Sequence, residues 1–192
     1  YGMTRQEGLV IENDSNYYAY RYPQTYLLPS LSSNDITAGI TDGMYVFTPV
    51  AQGIVKGDST DDLTLTTLLS TSSTAYAMQD YAEATTAEQG ANDPNGPFNI
   101  AVAASNSATG AKVVWVNCPN MLNSQMNSAV SGGNAQLLTS AVNWMTGEEN
   151  GVVIDSKSMS AETLTVPAKA TMLLGLLFTI VVPLAFIVAG IA

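Results

Sequence analysis

Cys118 is the residue best placed to be a nucleophile. It follows the apolar run "AKVVWVN", the position a strand-to-turn nucleophile occupies. A thiol there needs a base, and the chain contains no histidine. That removes the usual general base of Ser and Cys hydrolases and the commonest zinc ligand. The local sequence, Asn117-Cys118-Pro119-Asn120, is not the Gly-x-Cys-x-Gly of a nucleophile elbow. An unactivated thiol with a pKa of about 8.5 is only slightly ionised at pH 7. Cys118 is therefore expected to be structural. As the single cysteine it forms no internal disulfide. Ser–Lys and carboxylate mechanisms stay open, and a degenerate α/β hydrolase using Ser70, Ser72 or Cys118 is the catalytic reading.

Three other segments have residue types that can bind ions or sugars. "GDSTDD" places Asp58, Asp61 and Asp62 together, but it lacks the EF-hand glycine, and Leu69 stands where a bidentate Glu belongs. It is expected to be a solvated turn. "SGGNAQ" (131–136) could cradle an anion at a helix start, yet no Lys-Ser/Thr follows and no Gly-x-Gly-x-x-Gly is present. "NDS" at Asn13 matches the N-glycosylation pattern without a context that gives it weight. No metal site and no cofactor is expected.

Composition narrows the partners. The 192 residues carry a net charge of −10, and only 11% are charged, against roughly 25% in a typical soluble domain. Six basic residues are scattered along the chain and form no phosphate-neutralising cluster, which argues against nucleic acid. Ser, Thr and Asn stand where charges usually would, a composition suited to an exported protein.

The elements that must position these residues are readable from periodicity. "GLVIEN" (from Gly8), "GMYVFTP" (43–49) and "DLTLTTLLSTS" (62–72) read as strands bounded by turns. The tyrosines of "YYAYRYPQTYLLP" are expected to cover an apolar sheet face rather than to stack sugars. Residues 78–97 read as a polar surface loop. "FNIAVAAS" (98–105) and "AKVVWVN" (111–117) are joined by a connection too short for a parallel crossover, so an antiparallel hairpin is expected. "GGNAQLLTSAVNWMTGEE" reads as an amphipathic helix with Asn134 as N-cap and Gly147 as C-cap. Leu137, Leu138, Ala141, Val142, Trp144 and Met145 would form its apolar face. Residues 151–167 read as two short strands. This mixture favours an α/β architecture over a sandwich.

Thr171 to Ala192 contains no charged residue. As one helix it would be about 33 Å long, close to the roughly 30 Å of a bilayer core. A C-terminal transmembrane helix is expected over 167–192, with Pro183 tolerated inside it. The acidic domain of residues 1–166 would then lie outside a cell membrane.

The order of several segments resembles the C-terminal part of GldG-type auxiliary components of ABC transport systems. These are "YGM", "YLLPSLSSNDITAGI", "YVFTPVAQGI", "LTTLLSTSSTAY", "GPFNIAVAA", "AKVVWVN" and "GGNAQLLTSAVNWMTGEE". The chain departs from that pattern at Asn34-Asp35-Ile36-Thr37, where the family has His-Pro-Ile-Thr. It departs again at Asn117–Asn120, where the family has a Gly-Asp-Ser-Asp-like turn. The resemblance implies the later half of a flavodoxin-like or amidotransferase-like α/β domain without amidotransferase catalysis. It also implies a non-catalytic, membrane-anchored accessory subunit with a separate ABC permease and ATPase as partners. The alternative class is a self-assembling surface or filament protein anchored by its tail. In an open α/β sheet, ligands bind beyond the carboxyl ends of the strands. Ser70, Thr71, Ser72, Asn117 and Asn120 are the residues that reading selects for ligand binding.

Overall fold

The computed structural model describes residues 1–19, 23–148 and 176–191. Its contacts divide the chain into Tyr1–Ile154 and Asp155–Ala192, two units taken separately below.

The first unit is built on β9 (Asn99–Asn106). Five consecutive residues, Ile100 to Ala104, are buried, so this strand is covered on both faces. A peptide backbone in that position needs hydrogen-bonding partners on both edges. Along one edge runs β7 (Leu63–Ser70), antiparallel from Leu63↔Asn106 to Ser70↔Asn99, with irregularities around Leu68 and Leu69. Along the other runs β10 (Lys112–Val116), antiparallel from Lys112↔Ser105 to Val116↔Ala101. β6 (Ile54–Lys56) meets the same edge beyond β10, at Ile54↔Asn99. β1 (Met3–Arg5) pairs with β6, and β4 (Ser30–Leu31) with β7, completing six strands. Two small ribbons stand apart: β2 (Leu9–Ile11) with β8 (Tyr76–Met78), and β3 (Tyr26–Leu27) with β5 (Thr48–Pro49).

Every strand pairing among the described residues is antiparallel. This corrects the expected flavodoxin-like or amidotransferase-like α/β fold: the unit is mostly β, with few helices. A parallel sheet needs a helix in each crossover. Here the links from β1 to β10 are polar loops rich in Ser, Thr, Asn and Gly, without the 3.6-residue apolar period of a covering helix. The hairpin of β9 and β10 is as expected; the polar loop expected over 78–97 begins at 79, because Met78 is the buried last residue of β8.

Helices enter only after β10. A 3₁₀ turn, Pro119–Leu122, leads to α1 (Ser124–Ala129) and then α2 (Gly133–Thr146). Leu137 and Ala141 of α2 are buried in the main core with Ala101 and Ala103, and Leu138 and Trp144 pack against it beside Val114 and Val116. Val142 and Met145 are exposed instead of joining that face. At about 100° per residue, Val142 lies roughly 140° around the helix from Leu137. The Lys112 ammonium sits 4.9 Å from the Trp144 ring centre and donates to the Trp144 carbonyl at 2.9 Å, tying the last turn of α2 to β10. Gly147 closes the helix at φ 74°, the left-handed C-cap its sequence position suggested.

The start of α2 differs from expectation. Gly132, at φ 85°, is the N-cap, and the Asn127 side chain of α1 accepts the Ala135 N–H at 2.9 Å. Gly133 follows where no side chain fits, because a Cβ would lie 2.1 Å from the Tyr45 carbonyl oxygen. Asn134 turns inward, 1% exposed. Its Oδ1 accepts the Phe47 N–H at 2.7 Å, and its Nδ2 donates to the carbonyls of Phe47 at 2.9 Å and Met121 at 3.0 Å. One side chain thereby does for Phe47 what a neighbouring strand would do.

In the second unit, Leu177–Val181 is π-helical and α3 (Val182–Ile191) is α-helical. The Val182 N–H reaches back to the Leu177 carbonyl, and Pro183 next to it has no N–H to give, so the wide turn sits where a proline interrupts the ladder. With the π turn, the continuous helical run over 176–191 spans about 24 Å, short of the roughly 30 Å of a bilayer core. Among the described residues no helix is long and apolar enough to cross a membrane. This corrects the C-terminal span expected over 167–192 and the cell-membrane placement that rested on it; residues 167–175 and 192 of that segment lie outside the described residues. The two strands expected within 151–167, and Tyr20 and Tyr22 of the tyrosine-rich segment, lie outside the described residues.

Replacing Asn134 with Ala strands three buried backbone groups without introducing a clash. At about 1–3 kcal/mol for each uncompensated buried group, unfolding free energy should fall by at least about 2 kcal/mol in urea titrations. Thr48, whose buried Oγ1 has no partner among the described residues, gives the opposite case: Thr48→Val should be neutral or stabilising in the same assay.

Candidate functional site

β7 and β10 both run antiparallel to β9, so they run parallel to each other and end at the same end of the sheet. The two polar turns selected from the sequence are therefore brought together. Ser70 lies opposite Asn99, and the Asn117 N–H donates to the Ile100 carbonyl at 3.0 Å. Two inter-strand spacings, about 10 Å, separate the strands that carry them.

Most side chains at this end already serve the fold. Asn99 accepts from the Thr67 hydroxyl at 2.7 Å and donates to the Ile54 carbonyl at 3.2 Å, joining β7, β9 and β6. Asn117 donates through Nδ2 to the Gly53 carbonyl at 3.2 Å. Thr71 is buried; its hydroxyl oxygen accepts the Phe98 N–H at 2.9 Å and donates to the Ser72 carbonyl at 3.1 Å. Ser72 donates its hydroxyl to Glu12 Oε1 at 2.6 Å and its N–H to Glu12 Oε2 at 3.0 Å. Glu12, fully buried, also accepts the Asp14 N–H at 3.0 Å. Its carboxylate is held by three donors and ties the end of β2 to the turn after β7.

Two of the five selected residues remain available to a ligand. Ser70 is half-buried and Asn120 is exposed in the 3₁₀ turn, and neither side chain has an internal hydrogen bond among the described residues. Thr71, Ser72 and Asn117 are structural pins. The arrangement offers a neutral hydroxyl and a carboxamide, groups that recognise by hydrogen bonding and carry no proton-transfer chemistry near pH 7.

Cys118 is 2% exposed and donates its S–H to the Pro49 carbonyl at 3.2 Å. Burial pushes the thiol up to about 11 from an ordinary 9.0, against the opposing pull of the Met121 and Asn120 backbone N–H groups. Its thiolate fraction at pH 7 is then on the order of one in ten thousand. Asp58, Asp61 and Asp62 are exposed, and no group of metal-ligating side chains occurs among the described residues. The Ser131–Gln136 segment is occupied by the α2 capping and the Asn134 bonds described above.

Sequence reasoning passed over one feature. The loop after β8 forms an open, shallow cavity of about 310 Å³ whose lining includes Asp80, Glu83, Glu88 and Asp93. Asp93 shapes it by accepting the Gln79 N–H at 2.9 Å and the Gly90 N–H at 2.8 Å. The Tyr76 hydroxyl, donating to the Ala87 carbonyl, ties the same loop to β8. Burial, then the carboxylates of Asp93 and Glu88, raise the Tyr76 pKa above its ordinary 10.0. The only signal was four acids within a polar run of 14 residues, the span of Asp80–Asp93, which periodicity reads as a loop.

No family model matches the chain, and no curated protein matches it. Among solved structures it is similar to an "mmIFT52 N-terminal domain", at 15% sequence identity and a TM-score of 0.49. That similarity covers 76% of this chain and 54% of the other. It is too distant to carry fold or function.

Three outcomes test this site. Iodoacetamide at pH 8 should modify Cys118 at least a hundredfold more slowly in the native protein than in urea. Folding holds the Cys118 proton more tightly than the unfolded chain does, so stability is unaffected below about pH 9 and falls as pH rises from about 9 to 11. The slope from this group is at most about 1.4 kcal/mol per pH unit. Tyr76 acts in the same direction, and Cys118→Ala should remove only the cysteine part, as read by urea titrations across that range. Glu12→Gln replaces an acceptor with a donor facing Ser72 or Asp14. It should cost about 1.5–3 kcal/mol, measured by equilibrium unfolding at pH 7.

Proposed function

We propose that this chain is a non-catalytic binding subunit, and that its partners are those of an ABC transport auxiliary component: a separate permease and ATPase, or the substrate they move. The observation that supports this reading is the pairing of two polar turns at one end of the sheet, with Ser70 and Asn120 left open to a partner. The potential nucleophiles around them are engaged elsewhere, Ser72 on Glu12 and Cys118 in the core. In such a system the ATPase supplies the energy, so the subunit itself requires no reactive group. The ordered segments shared with GldG-type components add to this reading.

A second reading, a self-assembling structural protein, draws on the edge of β10. The Asn106 N–H donates to Ala111 and the Asn117 N–H to Ile100, so odd-numbered residues of this strand face β9. The backbone groups of Lys112, Val114 and Val116 point to the opposite edge, where no strand pairs among the described residues. A β-branched edge of this kind is a template for a further strand.

Affinity purification of the tagged, naturally expressed full-length protein in mild detergent, followed by mass spectrometry, separates the two. The transport reading expects an ATPase and a multi-span permease in comparable amounts, reduced several-fold by Ser70→Ala with Asn120→Ala while the melting temperature is unchanged. Recovery of the protein alone, as regular oligomers in negative-stain images, would overturn it in favour of self-assembly.

A further inference from the structure

We draw no further inference here: the strongest candidate, the acidic cavity formed by the loop between β8 and β9, is a cluster of carboxylates with no second observation pointing to a ligand, and its Asp93 already accepts two N–H groups of its own loop.

Discussion

The burial of β9 from Ile100 to Ala104 is the constraint on which the first unit depends. A strand with both faces covered has no water to satisfy its peptide groups, so each edge must be paired along its length. β7 serves one edge; β10 and β6 share the other. The small side chains of Ala101, Ala103 and Ala104 let the layers on either side come close. Ile100 and Val102, fully buried, each add about 1.5–3 kcal/mol of apolar burial. Because β7 and β10 flank the same strand, their carboxyl ends are forced to one end of the sheet. The candidate binding surface is a consequence of how the core is satisfied.

Polar side chains complete what the short strands cannot. Several strands have only two or three residues, too few to satisfy the chain around them by ladders alone. Asn134 substitutes for a strand beside Phe47, Asn99 joins three strands, and Glu12 gathers the N–H groups of Asp14 and Ser72. These bonds are buried or half-buried, where an unmet group costs more than a made bond gains. The abundance of Asn, Ser and Thr therefore has an internal use as well as a surface one. It also explains why a polar residue beyond a strand end is a weak guide to binding: Thr71, Ser72 and Asn117 look like ligand groups and act as pins.

Local pattern was enough for the elements whose partners lie close in sequence. The β9–β10 hairpin follows from two apolar runs and a short link, and α2 from Leu137, Ala141 and Trp144 with Gly147 beyond its end. The β7 strand was visible in the alternation around Leu63 and Leu65. The architecture was not legible in the same way. Strands mixed with a late covering helix suggested an α/β architecture, but pairing direction depends on which strands become neighbours, and no period in the sequence records that. Hydropathy identified the apolar tail correctly as apolar. Whether it forms one continuous helix depends on backbone hydrogen bonding, and around Pro183 that bonding widens into a π turn.

Residue chemistry by itself settled what has local causes: an acidic chain without histidine, one cysteine unable to form an internal disulfide, a hairpin, and an amphipathic helix ended by glycine. Those conclusions need only side-chain type and the periods of strand and helix. Tertiary structure decided the antiparallel sheet, the burial that raises the Cys118 thiol, and the inward turn of Asn134. It also decided that Glu12 would meet Ser72, sixty residues away. Each of these depends on contacts between distant segments, where the cost of leaving a buried group unpaired selects the partner, and that cost exists only once the chain has folded.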